Sequence, residues 1–393
     1  MSVGDGITVE DLEHDPYPHY AALRADEPVS WVPSVGLWLV TRWADVFRVV
    51  REPTVFTAAT EPSTVNRTFG VNMIGSEGPV HRRVRSVVEP AFRVGAVKPY
   101  VEEIIRPIAV ELIEALIKDS PGEVELMDAF ATTLSVRTVK TVLGLGDVSD
   151  ETLKSWFADL AMGAANFEQD PAKQAVADAA SEAVDEALAP LLHAMRHDDN
   201  GSILARMLHT DVDGGHLRHG EIQANTKVMI VGGMQEPADF VGLAMHSLLS
   251  HPDQAAEVCA EPGLVTAAVE EAARWHSPVG TSTRQTTEQV ELAGITLPPG
   301  ALVAAVLSSA NRDERHWTEP DRFDVHRDEG HHLAFSAGPH RCIGASLAIL
   351  VAQTACEDLL TRLPNLRLDP GQPTEFSGWE FRRPLQLQLR WDA

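Results

Sequence analysis

Three groups of residues in this sequence have types and spacing suited to chemistry. The first is HHLAFSAGPHRCIGASLAIL, residues 331–350, where Cys342 sits in a loop bearing Gly338 and Gly344 that leads into an apolar helix. A sulfur at a helix N-terminus meets unpaired N–H groups and the positive end of the dipole, which stabilise a thiolate. Glycine on each side lets the backbone come close to something large and flat. A lone cysteine is more often a buried structural residue, so the setting has to carry the argument. The second group is VGGMQEPADF, Val231 to Phe240, which places Gly232, Gly233, Gln235, Glu236 and Pro237 inside a long helical pattern. An interior proline costs about 3 kcal/mol relative to alanine. It has no N–H for the carbonyl four residues back, here that of Gly233. The expectation is a free carbonyl, with Gln235 or Glu236 beside it organising water. The third group is cationic. His81 and Arg85 in HRRVR are four apart and share one helix face, and Glu271 and Arg274 in EEAARW are three apart and can pair.

The elements that must hold these residues are mostly helical. Apolar residues recur at three- and four-residue spacing in PYPHYAALRAD, VKPYVEEIIRPIAVELIEALIKD, DETLKSWFADLAMGAANF, AKQAVADAASEAVDEALAPLLHAMRH and EIQANTKVMIVGGMQEPADFVGLAMHSLLS. Strand patterns are short: VSWVPSVGLWLVTR, VELAGITLPPGALVAAVLSS and the alternating LQLQLRW near the end. There is no internal repeat and no long Pro/Ser/Gly linker, and HDDNGS and HTDVDGGH read as surface turns. The fold class read from this pattern is mainly α with a small β portion, one domain over residues 1–393.

Composition narrows the function. The chain has 393 residues, 44% of them hydrophobic, and 32 basic against 57 acidic residues give a formal charge of −25. Nucleic acid and anionic membrane both need a basic face, so neither is an expected partner. No apolar run reaches the roughly 18 residues of a membrane span, and the acidic start MSVGDGITVEDLEHDPYPHY is not a signal peptide, so a cytoplasmic location is expected. The three cysteines, Cys259, Cys342 and Cys356, lack metal-cluster spacing and argue against a disulfide framework.

Phe335, Gly338, His340, Cys342 and Gly344 spell F-x-x-G-x-H-x-C-x-G, and with this motif the chain resembles the cytochrome P450 family of haem-thiolate monooxygenases. Glu271 and Arg274 match the family's E-x-x-R, with ANRDERHWTEPDRFDVHR following before the cysteine loop, as in the family. Either Arg322 or Arg327 would complete that structural triad. His81 and Arg85 match its H-x-x-x-R. The resemblance runs from DPYPHYAALR to FRRPLQLQLRW. It implies the single-domain P450 fold and haem b, with Cys342 as the axial iron ligand. It also implies that Phe335 and Gly344 line the cofactor, that His81 and Arg85 clamp one haem propionate, and that Arg284 and His340 clamp the other. A buried carboxylate needs such partners. A thiolate ligand favours O–O cleavage. Electrons would come from a ferredoxin and an NAD(P)H-dependent ferredoxin reductase, since the chain has no room for flavin domains.

The sequence departs from the family where most members carry an acid and then a threonine in the long helix. Aligned on Gly232 and Gly233, Gln235 takes the acid position, Glu236 the alcohol position, and Pro237 follows. The catalytic residues are therefore expected to be Gly233, Gln235, Glu236 and Pro237. Either Glu236 supplies protons for ordinary hydroxylation, or hydrogen abstraction launches radical coupling.

The Gln-Glu-Pro pattern resembles two branches of the family: guaiacol-type aryl-ether O-demethylases, and actinobacterial enzymes that oxidise or couple tryptophan-containing cyclodipeptides (diketopiperazines). Phe69 and Phe381 match two phenylalanines that close a guaiacol pocket, but Ala164 stands at the third place and enlarges it. Val228, Gly232, Val279 and Ser282 are the other expected substrate contacts, and Ser282 could hydrogen-bond an amide. These residues suit a larger, amide-bearing substrate better than a one-ring phenol ether, with O-demethylation as the alternative. From a different class, a haem-binding sensor or carrier would need the same thiolate and clamps without turnover.

Overall fold

The computed structural model describes residues 2–120 and 122–392, and the chain divides into two compact units. One comprises residues 1–58, 109–131 and 236–393 and carries all the sheets. The other comprises 59–108 and 132–235 and is built of helices.

In the sheet-bearing unit, a five-stranded sheet has the order Val29–Val32, Leu37–Val40, Leu302–Val306, Thr281–Thr286, Phe56–Thr57. Leu37–Val40 and Leu302–Val306 run parallel and the other pairs antiparallel. The run LVAAV is apolar at every position because both faces are covered. Val303 and Ala305 pack with Val40, Val46, Val49, Phe56 and Leu333, whereas Ala304 and Val306 join Leu12, Tyr20, Leu23, Val32 and Leu39. Alternate side chains of a strand point to opposite faces, so a doubly covered strand loses the polar alternation. Each large aliphatic side chain so buried contributes roughly 1.5–3 kcal/mol. The terminal LQLQLRW forms a strand, Gln388–Arg390, between Glu123–Glu125 and Arg367–Leu368.

In the helical unit the predicted helices form Asp150–Ala164 and Pro171–Met195, with Thr132–Leu143, Gly78–Val88 and Thr64–Phe69 among their neighbours. Their starts are written locally: Ser149 caps the first through the N–H of Thr152, and Asp170 with Pro171 opens the second. Such a cap is worth about 1 kcal/mol. Gly163 lets helices approach, since a Cβ there would come within 2.8 Å of the Thr68 hydroxyl and overlap Ala177. The helix His219–Leu249, 31 residues long, runs unbroken through Pro237, and the boundary between the units falls within it. Among the described residues no helix is long and apolar enough to cross a membrane.

Candidate active site

The cysteine loop is built by glycine. Gly338 has φ +71°, and a Cβ on it would lie 2.6 Å from the Val50 carbonyl oxygen, so no other residue fits the turn Gly338–His340 without displacement. The Cys342 N–H then donates to the Phe335 carbonyl at 2.9 Å, closing the loop. Gly344 caps the 18-residue helix Ala345–Arg362. A Cβ on Gly344 would touch the Cys342 sulfur at 4.0 Å, which locates that sulfur at the helix start. Its side chain is exposed. The other two cysteines differ: Cys356 is buried and its thiol is pushed up to about 12 by burial, and Cys259 lies in the last turn of the helix Pro252–Ala260.

Phe335 links this loop to the long helix, meeting the ring of Phe240 edge-on with centroids 6.1 Å apart. One turn before Phe240 stands Glu236. The residue is half-buried, but its Oε2 is fully enclosed and accepts from no protein donor. Burial, helped by the nearby Asp239 carboxylate, raises its carboxyl to about 7. Gln235 and Pro237 are also half-buried.

The adjacent glycines Gly232 and Gly233 of this helix have different surroundings. Gly232 is exposed, and a Cβ on it would meet nothing within 4 Å, whereas one on Gly233 would lie 3.1 Å from Val139. The expectation of a free Gly233 carbonyl is corrected by the structure. The Ser135 hydroxyl, a single donor, lies 2.6 Å from the Met234 carbonyl and 3.1 Å from the Gly233 carbonyl, so the group that Pro237 leaves without a helical donor takes the longer leg of a bond shared between the two.

Of the expected cationic clamps, His81 is buried on the helix Gly78–Val88, and Arg85 one turn later pairs with Glu89 at 2.9 Å. Both belong to the helical unit. In the sheet-bearing unit Arg284 is buried on Thr281–Thr286 and donates to the Thr283 carbonyl at 2.7 Å, and His340 is half-buried in the 3-10 turn.

The E-x-x-R pair forms a saturated triad, and Arg327 completes it. Arg274 grips both oxygens of Glu271 at 2.7 and 2.8 Å, and Arg327 reaches Oε1 at 3.0 Å. Arg322 points its guanidinium to solvent with Glu319 and offers its carbonyl to Arg274 and Arg327 instead.

The expected substrate contacts fall into both units. Phe69 is buried at the end of Thr64–Phe69, and the Thr64 hydroxyl donates to the carbonyl of Ala164 at 2.6 Å, so these two helix ends pack together. Val228 is buried on the long helix. Val279 bridges to Phe381, and Gly280 passes so close to the Trp379 carbonyl that any Cβ would overlap it. Ser282 is half-buried in the sheet, opposite Ala305. Phe381, expected to close a pocket, is 49% exposed and follows a tight turn at Gly378 (φ +99°). Sequence reading had no signal for Ser135, Val139 or Asp239, whose relevance depends on long-range packing or on burial.

The cytochrome P450 family model matches residues 31–377, and the chain belongs to that family. The family defines a mainly helical fold with small sheets, haem b with an axial cysteine thiolate, and monooxygenase activity on small organic molecules. Cytochrome P450 monooxygenase PikC of Streptomyces venezuelae is 33% identical over 400 residues, spanning 98% of this chain and 93% of its own length. The 6-deoxyerythronolide B hydroxylase of Saccharopolyspora erythraea is 31% identical over 387 residues, covering 92% and 93%. The solved structure of cytochrome P450 CYP109Q5 from Chondromyces apiculatus matches with a TM-score of 0.89 at 28% identity, over 100% of this chain and 99% of that one. The chain is thus a P450 oxidoreductase of the kind found in secondary metabolism, which sets aside the sensor or carrier reading.

The residues present fit a haem-thiolate centre. Among the three cysteines only Cys342 combines an exposed sulfur with a helix start. Gly338 and Gly344 flank it in the loop.

Proposed function

We propose that Cys342 is the thiolate ligand, that His81, Arg85, Arg284 and His340 hold the haem propionates, and that Glu236 is the proton-holding group for oxygen activation. The haem, once bound, supplies the chemistry of dioxygen reduction and substrate oxidation, for which two electrons and two protons must be delivered. The electrons come from a ferredoxin and its NAD(P)H-dependent reductase, in the cytoplasm, and the two compact units work as one haem-thiolate domain.

The observation that carries this reading is the unpartnered Oε2 of Glu236. A carboxyl raised to about 7 is protonated in a large fraction of molecules near neutral pH, so Oε2 holds a transferable proton where most relatives place a hydroxyl. Among the described residues no donor meets Oε2, although the carboxyl is also hydrogen-bonded by its own backbone. Gln235, next in sequence, has an amide that can orient water toward the same turn. Gly232 leaves room on its helix face, and Phe335 against Phe240 keeps the helix at a fixed distance from the cysteine loop.

For the substrate, Ala164 in place of a phenylalanine favours a molecule larger than one aromatic ring. Tryptophan-containing cyclodipeptides, hydroxylated or coupled, fit this better than a guaiacol-like ether. The buried Phe69 is the one feature that favours O-demethylation. A Soret-shift screen with guaiacol, veratrole-like ethers and tryptophan-containing cyclodipeptides tests this choice. A shift with the cyclodipeptides is expected; a shift with the ethers alone would overturn it. For the ligand assignment, Cys342→Ser should abolish the thiolate-type spectrum of the reduced carbonyl complex, and its retention would refute the role of Cys342.

A further inference from the structure

Two residues four apart on the helix Thr132–Leu143, Ser135 and Val139, meet the long helix at Gly233 and Met234. Val139 fills the space that the missing side chain of Gly233 leaves, at 3.1 Å from where a Cβ would be. Ser135 is 1% exposed and places its hydroxyl 3.1 Å from the Gly233 carbonyl and 2.6 Å from the Met234 carbonyl. Gly233 is the residue whose carbonyl Pro237 leaves without its helical donor. A buried carbonyl without a partner is costly, and an interior proline usually kinks a helix or admits water. Neither is needed here. The helix is continuous from His219 to Leu249, and a hydroxyl from a neighbouring helix, shared between the Met234 and Gly233 carbonyls, stands in for part of the lost bond. Gly233 serves that contact by letting the two helices approach closely enough for Ser135 to reach.

We propose that Ser135 is a positioning residue for the oxidation. By capping the carbonyl that Pro237 deprives of a donor, it sets the geometry of the turn Gly233–Pro237 and with it the direction in which Glu236 presents Oε2. The effect on the reaction rests on the reading of Glu236 as the proton holder, while the capping of the turn stands on its own distances.

The test is a double-mutant cycle in the haem-loaded protein with Ser135→Ala, Pro237→Ala and the pair, plus Ser135→Thr as the conservative variant. Two quantities are read: amide hydrogen exchange of the peptide spanning residues 232–239, and the fraction of NAD(P)H electrons lost to peroxide. Ser135→Ala should speed exchange there roughly five- to tenfold, the ratio that follows from losing one hydrogen bond of ordinary net strength, and should raise peroxide. With Pro237→Ala present, the Gly233 carbonyl regains a backbone donor, so adding Ser135→Ala should change exchange by less than about twofold, on the same hydrogen-bond scale. Ser135→Thr should keep both readouts near those of the parent.

Equal effects of Ser135→Ala in both backgrounds would overturn the capping. Faster exchange with unchanged peroxide, while Glu236→Gln does raise peroxide, would overturn the positioning role and leave the proton reading intact. Raised peroxide in Ser135→Ala with none in Glu236→Gln would remove Glu236 from proton supply and keep Ser135 as the support of the turn. Should Ser135→Ala alone fail to fold, recovery of folded protein on adding Pro237→Ala supports the capping, and no recovery overturns it.

Discussion

Glu271 and Glu236 both stand on helices of the sheet-bearing unit, and they are treated in opposite ways. Glu271 is 4% exposed at its side chain, and its carboxylate is saturated. Arg274 grips both oxygens, and Arg327 and the Asp324 N–H share Oε1. Two guanidiniums around one carboxylate leave nothing for chemistry and tie the helix Val265–His276 to the segment before the cysteine loop. Glu236 has an enclosed oxygen that no donor reaches. A buried polar atom left unsatisfied is unfavourable, so its persistence points to use in the reaction, whereas full satisfaction points to a structural staple.

The comparison breaks first at the staple. Glu271→Ala should destabilise the protein by about 3–5 kcal/mol, since it leaves the buried Arg274 guanidinium without its anion, and Arg327→Ala by less, since Arg274 still holds both Glu271 oxygens. Denaturant unfolding of the haem-loaded protein measures this, and a loss no larger than that of a surface variant would show that the triad is dispensable. Next in size is Glu236→Gln, which should leave stability unharmed but lower the yield of product per NAD(P)H about tenfold or more, the scale of a lost general acid. Unchanged coupling would end the functional contrast.

A pH series sharpens the contrast further. Burial raises the folded Glu236 carboxyl from an ordinary 4.5 to about 7. The unfolded chain therefore releases this proton first, so the stability Glu236 contributes is fully present below about pH 4.5, declines as pH rises toward 7, and is flat above. Glu236→Gln should remove that decline, and an identical pH profile in both proteins would contradict the enclosed carboxyl. The smallest effect is expected from Arg322→Ala. Its guanidinium is 61% exposed and only its backbone carbonyl serves the triad, so the change should stay within about 0.5 kcal/mol.

Arg322 and Arg327 also show where sequence reading stops. Both follow Glu271 at plausible distances, and only the path of the chain decides which side chain turns inward. The cysteine loop was legible because its glycines, cysteine and aromatic act over ten neighbouring residues, and the helices because their apolar period is local. The covalent effect of Pro237 was legible too, but not its outcome: the compensating hydroxyl sits on Ser135, about a hundred residues upstream, in a helix whose pattern says only that one face is buried. The pairing of Phe381 with Val279 is likewise a long-range contact that no local pattern encodes. No linker marks the two compact units because their boundaries interrupt the chain repeatedly, twice inside a continuous helix.

Gly232 and Gly233 are adjacent and chemically identical, yet drift at each would be selected on a different property. A methyl at 232 meets open space and gains about 1 kcal/mol of helix propensity, so under the proposal that Gly232 faces the substrate its burden would fall on which molecules the enzyme accepts. A methyl at 233 presses on Val139 and would push the Ser135 helix away, so its burden would fall on the proton-handling turn whatever the substrate. Substrate range can therefore diversify at one glycine while its neighbour stays fixed.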